Sequence, residues 1–300
     1  MSETNLGAPP RAKSASRLPV DRDTSTEPVF VIRPAPRWPH LDLRELWLYR
    51  ELLHRLVWRD LAVRYKQTFL GVAWAVLVPA FTALVYVIVF GKFAKFPRGV
   101  VGAYPSLVLA GVIPMQYFSS SLTGSSTSLV SNLPLVTKVY FPRVLLPLTS
   151  VLVPIVDLLV GLPVLLVVMA YYGTWPAGIQ VVFAPLFILL ALVTALGAGL
   201  LLSAVNVRYR DVPYMVPVFL QVLPLISGVM YSISQIPMKW QWVLAFNPMT
   251  AVIAGWRWAV LGAEEPNWQH TAVGVGMSVI LFIVGVMIFR RSEPRFADTI

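Results

Sequence analysis

Residues 64–79 of this 300-residue chain read RYKQTFLGVAWAVLVP and change abruptly from charged to apolar. Arg64, Tyr65 and Lys66 open the stretch, and no charged residue follows before Lys92. A helix needs about 20 apolar residues to cross the roughly 30 Å hydrocarbon layer of a bilayer. The stretch therefore marks the place where the chain first passes into a membrane.

The composition of the whole chain agrees with this interpretation. Hydrophobic residues make up 57% of the sequence and charged residues only 13%, whereas soluble domains average about 25% charged. The chain has no cysteine, which excludes disulfides and thiolate chemistry. The predicted fold class is an all-α membrane protein.

Six segments are predicted to cross the membrane within a domain at 69–290. They are 69–91, 103–122, 144–171, 178–205, 212–233 and 271–289. The second is interrupted by Pro114 and the run SSSLTGSSTS, and the fifth contains three prolines. Such breaks are tolerated only where neighbouring groups or water satisfy the freed backbone. These two spans are therefore expected to face protein or a water-filled path.

The distribution of basic residues predicts the orientation of the spans. With both termini in the cytoplasm, 19 of the 24 Lys and Arg residues lie inside, as the positive-inside rule requires. The net charge of +10 is then explained by the membrane topology, because the basic residues face the anionic inner leaflet. No nucleic-acid partner is expected. Residues 1–40 are polar and Pro/Arg-rich, which predicts a disordered cytoplasmic tail. Residues 291–300 form a second cytoplasmic tail.

Residues 41–68 are predicted to form an amphipathic helix that lies in the membrane interface before the first span. Polar and apolar side chains recur there on opposite sides at helical spacing. The polar positions are Arg44, Glu51, Arg55 and Arg59, and the apolar positions are Leu46, Tyr49, Leu53 and Leu56.

The external segment between spans five and six, 234–262, is predicted to be an outer gate. It is unusually apolar for a loop, and its part 249–261, MTAVIAGWRWAVL, is too short to cross a bilayer. Re-entrant helices are therefore expected here.

Several chemistries are missing from the sequence. No GxxxxGK[ST] phosphate loop occurs, and the three histidines are scattered without metal-ligand spacing. No catalytic residue and no metal site are predicted. Asp157 is the one clear acidic residue within a predicted span; it either serves a conduit or proton site, or makes a structural hydrogen bond.

Four stretches resemble the membrane subunits of type-2 ABC exporters of polysaccharides and polyol phosphates. They are RDLAVRYKQTFLGVAWAVLVP (59–79), SNLPLVTKVYFPR (131–143), NVRYRDVPYM (206–215) and FNPMTAVIAGWRWAVL (246–261). They occur in order and in the matching topological positions, and the resemblance covers about residues 45–295.

The resemblance implies a homodimer of six-span subunits in the bacterial inner membrane, with two copies of a separate ATP-binding subunit. That partner would bind ATP and Mg²⁺, and this chain would carry no cofactor and no enzymatic activity. The cargo would be a polyprenyl-diphosphate-linked polysaccharide, moved outward from the cytoplasmic side. The wording KVYFPR favours O-antigen or capsule over teichoic acid.

The resemblance also suggests roles for the basic residues before the first span. Arg55, Arg59, Arg64 and Lys66 are candidates to attract the lipid diphosphate, because arginine binds phosphate in a bidentate manner and lysine supplies a point charge. Alternatively, they are simple positive-inside anchors.

The segment 129–143 is predicted to couple the membrane domain to the ATP-binding subunit. Pro134 and Pro142 would bracket a short helix that carries Val136, Val139 and Tyr140, and its exposed apolar face would need a partner. The coupling candidates are Pro134, Val136, Lys138, Val139, Tyr140 and Arg143, with Arg208, Arg210 and Asp211 from the turn between spans four and five. Alternatively, the segment 131–143 is an ordinary loop, and Arg208, Arg210 and Asp211 only cap and anchor the turn between spans four and five.

Aromatic residues are candidates to line a channel or gate for a sugar polymer. Flat rings stack on sugar C–H faces without fixing a hydrogen-bond pattern, although Trp and Tyr also serve as interface anchors. The candidates are Tyr86, Tyr117, Phe118, Trp240, Trp242, Phe246, Trp256 and Trp258.

Three other functions are alternatives to polysaccharide export. The same architecture would suit export of a drug or small lipid. A polyprenyl-phosphate glycosyltransferase or acyltransferase would need a catalytic cluster around Glu264 and Glu265. An ion-coupled secondary transporter would need several intramembrane charges or an internal repeat, which this sequence lacks.

Overall fold

A computed structural model describes residues 43–66, 71, 73–93, 104–175 and 178–296. Throughout these residues the regular structure is helical and no strand is present. The predicted tail at 1–40 and the last residues of the chain, 297–300, lie outside the described residues. The all-α fold class is confirmed for the described part.

Twelve α-helices form the described structure, with short π- and 3₁₀-helical extensions. Their bounds are α1 Leu43–Leu48, α2 Arg50–Lys66, α3 Ala73–Tyr86, α4 Tyr104–Ser131, α5 Leu133–Lys138, α6 Leu145–Leu152, α7 Ile155–Tyr171, α8 Ala184–Arg208, α9 Val212–Ile226, α10 Met238–Ala245, α11 Pro248–Leu261 and α12 Trp268–Ser292. A π-helical turn, Val87–Phe93, continues α3, and a 3₁₀ turn, Gly178–Phe183, leads into α8.

Four helical segments of the described chain are long and apolar enough to cross a membrane. They are Ala73–Gly91, Leu145–Tyr171, Gly178–Arg208 and Trp268–Ser292, which correspond to the first, third, fourth and sixth predicted spans. The second predicted span is the long helix α4, which is more polar, and the fifth is α9, which has only 15 residues. Gly228, with φ +75°, lies in the turn that follows α9.

Helix α4 is the centre of the bundle, and most hydroxyls of its polar run make hydrogen bonds within the protein. The hydroxyls of Ser119, Thr123 and Ser131 donate to backbone carbonyls one turn earlier, at 2.6–2.9 Å. Asn206 of α8 donates to the Ser126 carbonyl at 2.9 Å. Helices α3, α6, α7, α8, α9 and α11 all contact α4, so the prediction that this span faces protein is confirmed.

For the fifth span, contacts within one copy of the chain leave the corresponding prediction untested. Helix α9 buries only Val212, Val216 and Leu223 and leaves most of its surface uncovered. Its large exposed side chains include Tyr214, Met215, Val218, Phe219 and Val222. The prolines of α9 therefore lie on a helix with one narrow buried stripe.

Helices α1 and α2 pack against a separate apolar cluster near the chain's C-terminal end. This cluster includes Leu129, Phe141, Leu145 and Phe289. The side chains that contact it from α1 and α2 are Leu46, Tyr49, Leu52, Leu53 and Leu56. Every position of the predicted polar face is exposed, as are Trp47 and Trp58.

Contacts between connecting segments define two ends of the bundle. At the first, here called the Arg143 end, Arg59 donates to Asn132 and Arg143 donates to the Glu293 carbonyl. At the second, the Arg257 end, Tyr104 donates to the Met230 carbonyl at 2.9 Å. Helices α4, α8 and α12, the pair α6–α7, and α9 each run between these two ends.

Two glycines allow α8 and α12 to cross at very short range. A Cβ on Gly285 would overlap the backbone carbonyl of Gly197, and a Cβ on Gly197 would lie 2.6 Å from the Phe282 Cα. Small residues at such crossings let helix backbones pack closely in membranes. Thr194 and Ser278 add a hydroxyl contact of 2.8 Å at the same crossing.

We expect Gly285→Ala to lower the free energy of unfolding by about 1–3 kcal/mol, because its methyl group would force the two backbones apart. Reversible unfolding of the purified protein in mixed micelles measures this. Gly276→Ala is the matched control, since a Cβ there meets no atom within 4 Å. Equal stability of the two variants would contradict the close crossing.

Candidate functional site

Asp157, which the sequence presents as an isolated acid, is bound by the residues that precede the first span. Arg64 Nη2 lies 2.5 Å from Asp157 Oδ2, and the Tyr65 hydroxyl donates to Oδ1. Asp157 sits in the first turn of α7, where a helix dipole favours negative charge. Asp157 therefore makes a structural hydrogen bond, which was one of its two predicted roles. Its partners come from α2 and not from another span.

A cavity of about 300 Å³ borders this ion pair, and we call it the access cavity. It is lined by Arg64, Tyr65, Trp74, Gln116, Ser120 and Asp157, together with apolar side chains of α3, α4 and α7. Gly71, at φ +48°, forms part of the wall between α2 and α3. The Gln116 Oε1 atom is buried without a hydrogen-bond partner, so the cavity wall carries an unused acceptor.

Burial raises the pKa of the Tyr65 phenol well above its usual value, and the hydrogen bond to Asp157 raises it further. Tyr65 therefore remains a neutral hydrogen-bond donor at any physiological pH. Its donor character at the cavity does not depend on pH.

Only one of the four predicted lipid-diphosphate contacts lines the access cavity. Arg55 and Lys66 are exposed along α2. Arg59 lies 2.8 Å from Asp60 and donates to Asn132 Oδ1 at 2.9 Å, which links α2 to the start of the coupling segment. Arg64 is thus the cation that the structure brings to the cavity.

The coupling segment differs in detail from its prediction. Helix α5 ends at Lys138, and Val139 is already extended, so Val139 and Tyr140 follow the helix rather than lie on it. Val136 is only 4% exposed and belongs to the apolar cluster at the Arg143 end. The idea that Val136 forms part of an exposed docking face is therefore wrong, because its side chain packs inside.

The exposed surface of this segment centres on Tyr140. Its side chain is 91% exposed, and Val139 is half exposed. Pro134 and Lys138 are exposed as well. Tyr140 is the most exposed of the large apolar side chains in the described part of the chain, so it is accessible to a partner.

Arg143 ties the coupling segment to the end of α12. It donates to the Glu293 carbonyl, and its guanidinium carbon lies 5.9 Å from the centre of the Phe296 ring. Arg290 pairs with Glu293 at 3.0 Å. The Arg143 side chain therefore holds the coupling segment against the end of α12 and does not project away from the segment.

The turn between α8 and α9 remains exposed. Arg208 lies over the Tyr209 ring at 5.4 Å, and Asp211 occupies the N-cap position of α9 without a side-chain cap. Within the described chain, Arg208, Arg210 and Asp211 make no ion pair or hydrogen bond to the coupling segment. Asp211 makes no capping hydrogen bond with its side chain, so the alternative of a capped turn has no support from it. The side chains of Arg208, Arg210 and Asp211 are exposed and accessible to a partner.

Two of the three aromatic channel candidates on α3 and α4 are enclosed. Phe118 is buried in the main core, so it does not line an open path here. Tyr117 is also buried and donates to the Val151 carbonyl at 3.3 Å, although its ring reaches the wall of the access cavity. Tyr86 is half-buried and lines a smaller cavity of about 170 Å³ between α3, α4 and α9.

The aromatic residues of the predicted outer gate divide between its two helices. Trp240 and Trp242 of α10 are exposed, as is Phe246, which directly follows α10. Trp258 of α11 is partly buried and packs edge-on against Trp268 at 5.4 Å. Trp256 is only 3% exposed in the main core, so it is neither a surface anchor nor a pore-lining residue in this structure.

A buried arginine at the Arg257 end was missed as a functional residue by the sequence analysis. Arg257 is 5% exposed. Its Nε donates to the Leu107 carbonyl at 3.0 Å, and Nη1 donates to the carbonyls of Gly228 and Tyr231 at 2.7 and 3.1 Å. Its Nη2 donates to the Val229 carbonyl. The guanidinium thereby fastens α11 to α4 and to the turn after α9.

No described carboxylate forms an ion pair with Arg257. Glu264 and Glu265 line a neighbouring cavity of about 260 Å³ that Arg257 also borders. They are engaged elsewhere, with Ser232 and with the Trp268 indole respectively. The carbonyls after the C-terminal end of α9 therefore supply the negative potential that holds the cation.

The described residues contain no group of three or more His, Cys, Asp or Glu side chains placed to hold a metal ion. Glu264, Glu265 and His270 line one cavity but form no such metal-binding group.

Comparison with known proteins places these features in context. Residues 51–261 match the family model of the ABC-2 type transporter. The chain is 31% identical over 260 residues to the O-antigen export system permease protein RfbA of Myxococcus xanthus, covering 86% of this chain and 98% of that protein. It is 28% identical over 248 residues to the protein of the same name from Klebsiella pneumoniae, covering 83% and 94%. It is 23% identical over 244 residues to the polysialic acid transport protein KpsM of Escherichia coli, covering 78% and 91%.

Proposed function

Since the chain belongs to the ABC-2 type transporter family, we propose that it is the membrane subunit of an ATP-driven exporter of lipid-linked polysaccharide, with O-antigen as the favoured cargo. The observation that carries this proposal is the 31% identity to an O-antigen export permease over 98% of that protein's length. The similarity to a polysialic acid transport protein makes capsular polysaccharide the second candidate cargo.

The proposed topology has six membrane crossings with both termini in the cytoplasm of a bacterial cell. Helices α4 and α9 run between the same two ends of the bundle as the apolar segments formed by α6–α7, α8 and α12, which supports counting them as crossings. The Arg143 end carries α2 with its arginines, and the positive-inside rule favours that end as cytoplasmic. Helices α10 and α11, at the opposite end, are proposed as re-entrant gate helices.

The proposed energy source is a separate ATP-binding subunit. The sequence has no phosphate loop, so ATP and Mg²⁺ would bind to that partner. Two copies of the chain and two of the ATP-binding subunit would form the transporter, and the uncovered apolar face of α9 is compatible with contact between the two copies. Tyr140 and the turn at 208–211 are the surfaces available for docking.

The proposed mechanism begins at the access cavity. The diphosphate of the polyprenyl carrier would approach along α2 and meet Arg64, while the sugar chain enters a path between the two copies. ATP binding in the partner would push on the coupling segment, and Arg143 would transmit the movement to α12. The spans then tilt as packed units, and α10 and α11 yield to release the polymer outward.

Deletion of the gene tests the proposed function in its host. Surface polysaccharide should disappear, and polyprenyl-linked polymer should accumulate in the inner membrane. Surface polymer that persists, together with increased drug sensitivity, would instead favour the small-molecule export alternative.

We also expect the purified chain to lack ATPase activity until the ATP-binding subunit is added. Phosphate release by the chain alone, the subunit alone and the reconstituted complex measures this. The inactive chain serves as its own baseline, and robust ATP hydrolysis by the chain alone would contradict the division of labour.

A further inference from the structure

The Asp157 carboxylate accepts a hydrogen bond at Oδ1 and forms an ion pair at Oδ2, and both kinds of contact also suit a phosphate group. Arg64 presents a guanidinium nitrogen 2.5 Å from one oxygen, and the Tyr65 hydroxyl donates to the other. A guanidinium and a hydroxyl converging on two oxygens of one anion is a typical arrangement for phosphate recognition. The carboxylate thus takes the position in which a ligand phosphate would be bound.

The ion pair borders open space rather than a packed core. The access cavity of about 300 Å³ lies directly beside it, and the Arg64 side chain is 40% exposed. Gln116 and Ser120 line the same cavity, and the Gln116 Oε1 atom is buried and unpartnered. A ligand can therefore reach the arginine, and the Ser120 hydroxyl and the Gln116 amide nitrogen are the cavity-lining groups that can donate to a carboxylate that has lost its partner.

We propose that Asp157 is a built-in competitor of the substrate diphosphate, which holds Arg64 and Tyr65 until the diphosphate displaces it. This inference rests on the proposed function and adds a selectivity device to the access cavity. In the unliganded protein Asp157 neutralises the charge of Arg64, so the access cavity does not attract anions without selectivity.

The competition depends on charge. A diphosphate that joins a polyprenol to a sugar is esterified at both ends and carries one negative charge on each phosphate, two in all, whereas a phosphatidylglycerol headgroup or Asp157 carries one. Charge-assisted bonds strengthen with the charge of the acceptor group, so the diphosphate displaces the carboxylate where a phosphatidylglycerol headgroup does not. Asp157 would thereby exclude the abundant anionic lipids of the inner leaflet.

Binding of radiolabelled farnesyl diphosphate to the full-length protein in phosphatidylcholine nanodiscs tests this inference, with farnesol as the uncharged probe. Asp157→Asn keeps the side-chain shape and still accepts a bond from Tyr65, but it releases Arg64. We expect this variant to bind farnesyl diphosphate about 5-fold or more tightly than the native chain. Glu51→Gln is the matched control, because it removes an exposed carboxylate of α2 that does not line the access cavity, and its affinity should stay native.

Arg64→Gln should weaken binding, and in the double variant with Asp157→Asn the gain in affinity should vanish. Phosphatidylglycerol added to the nanodiscs should compete with farnesyl diphosphate in Asp157→Asn but not in the native chain. Competition by phosphatidylglycerol in the native chain would overturn the selectivity.

Native affinity in Asp157→Asn, or a gain that survives loss of Arg64, would overturn the competition while leaving the proposed function intact. Failure of the native chain to prefer farnesyl diphosphate over farnesol would overturn both the competition and the access route. Export of polymer by such a chain would still support the proposed function.

Discussion

We expect Arg257→Met to lower the free energy of unfolding by about 3 kcal/mol or more, the largest stability effect of any single substitution considered for this chain. Four backbone carbonyls from two distant segments accept hydrogen bonds from this guanidinium. Each buried acceptor left without a donor costs about 1–3 kcal/mol. Methionine fills similar volume but donates nothing, so α11 would lose its attachment to α4.

Reversible unfolding in mixed micelles measures the effect, with Arg291→Met as the matched control. Arg291 is an exposed arginine of α12, and its loss should change stability by less than about 0.5 kcal/mol. Arg257→Lys should fall between the two, because an ammonium group keeps the charge but cannot reach all four carbonyls. An Arg257→Met protein as stable as the native chain would contradict the anchoring role of Arg257.

The second large effect is expected at Tyr140. Tyr140→Asp should weaken association with the ATP-binding subunit at least about 30-fold, because an exposed tyrosine at an interface centre commonly contributes 2 kcal/mol or more. The side chain is 91% exposed in the single chain, so the substitution should leave folding unchanged. Co-purification of the two subunits from membranes measures the association.

Tyr172→Asp is the control for Tyr140→Asp, since Tyr172 is also exposed but lies at the far end of α7. Its complex should remain intact. Survival of the complex in Tyr140→Asp would show that the docking surface lies elsewhere, and the turn at 208–211 would be the next surface to test.

Much of the fold follows from the sequence because membrane helices have a strong local signal. The uninterrupted apolar runs predicted the four spans, and the alternation before Arg64 predicted which side chains of α1 and α2 pack inward. Pro114 and the serine run correctly placed α4 against protein. Several serine and threonine hydroxyls of α4 donate to carbonyls of the same helix, so this part of its hydrogen bonding is local.

The details of the site depended on contacts that leave no local signal. The sequence does not show that Val136 packs in a cluster with Phe141 and Phe289, so Val136 was predicted to be exposed. The partners of Asp157 lie 92 residues away at Tyr65, and charge counting alone assigned Arg64 to the membrane surface. The acceptors of Arg257 are backbone carbonyls, which every residue carries, so no sequence pattern could identify them.

The central claim is ATP-driven export of a lipid-linked polysaccharide, and transport in proteoliposomes tests it most directly. The chain and its ATP-binding subunit would be reconstituted with polyprenyl-diphosphate-linked O-polysaccharide on the ATP-accessible face. The account predicts that polymer becomes protected inside the vesicles only with ATP and with both subunits present. ATP-independent movement, or no movement of polymer by an ATPase-active complex, would contradict it.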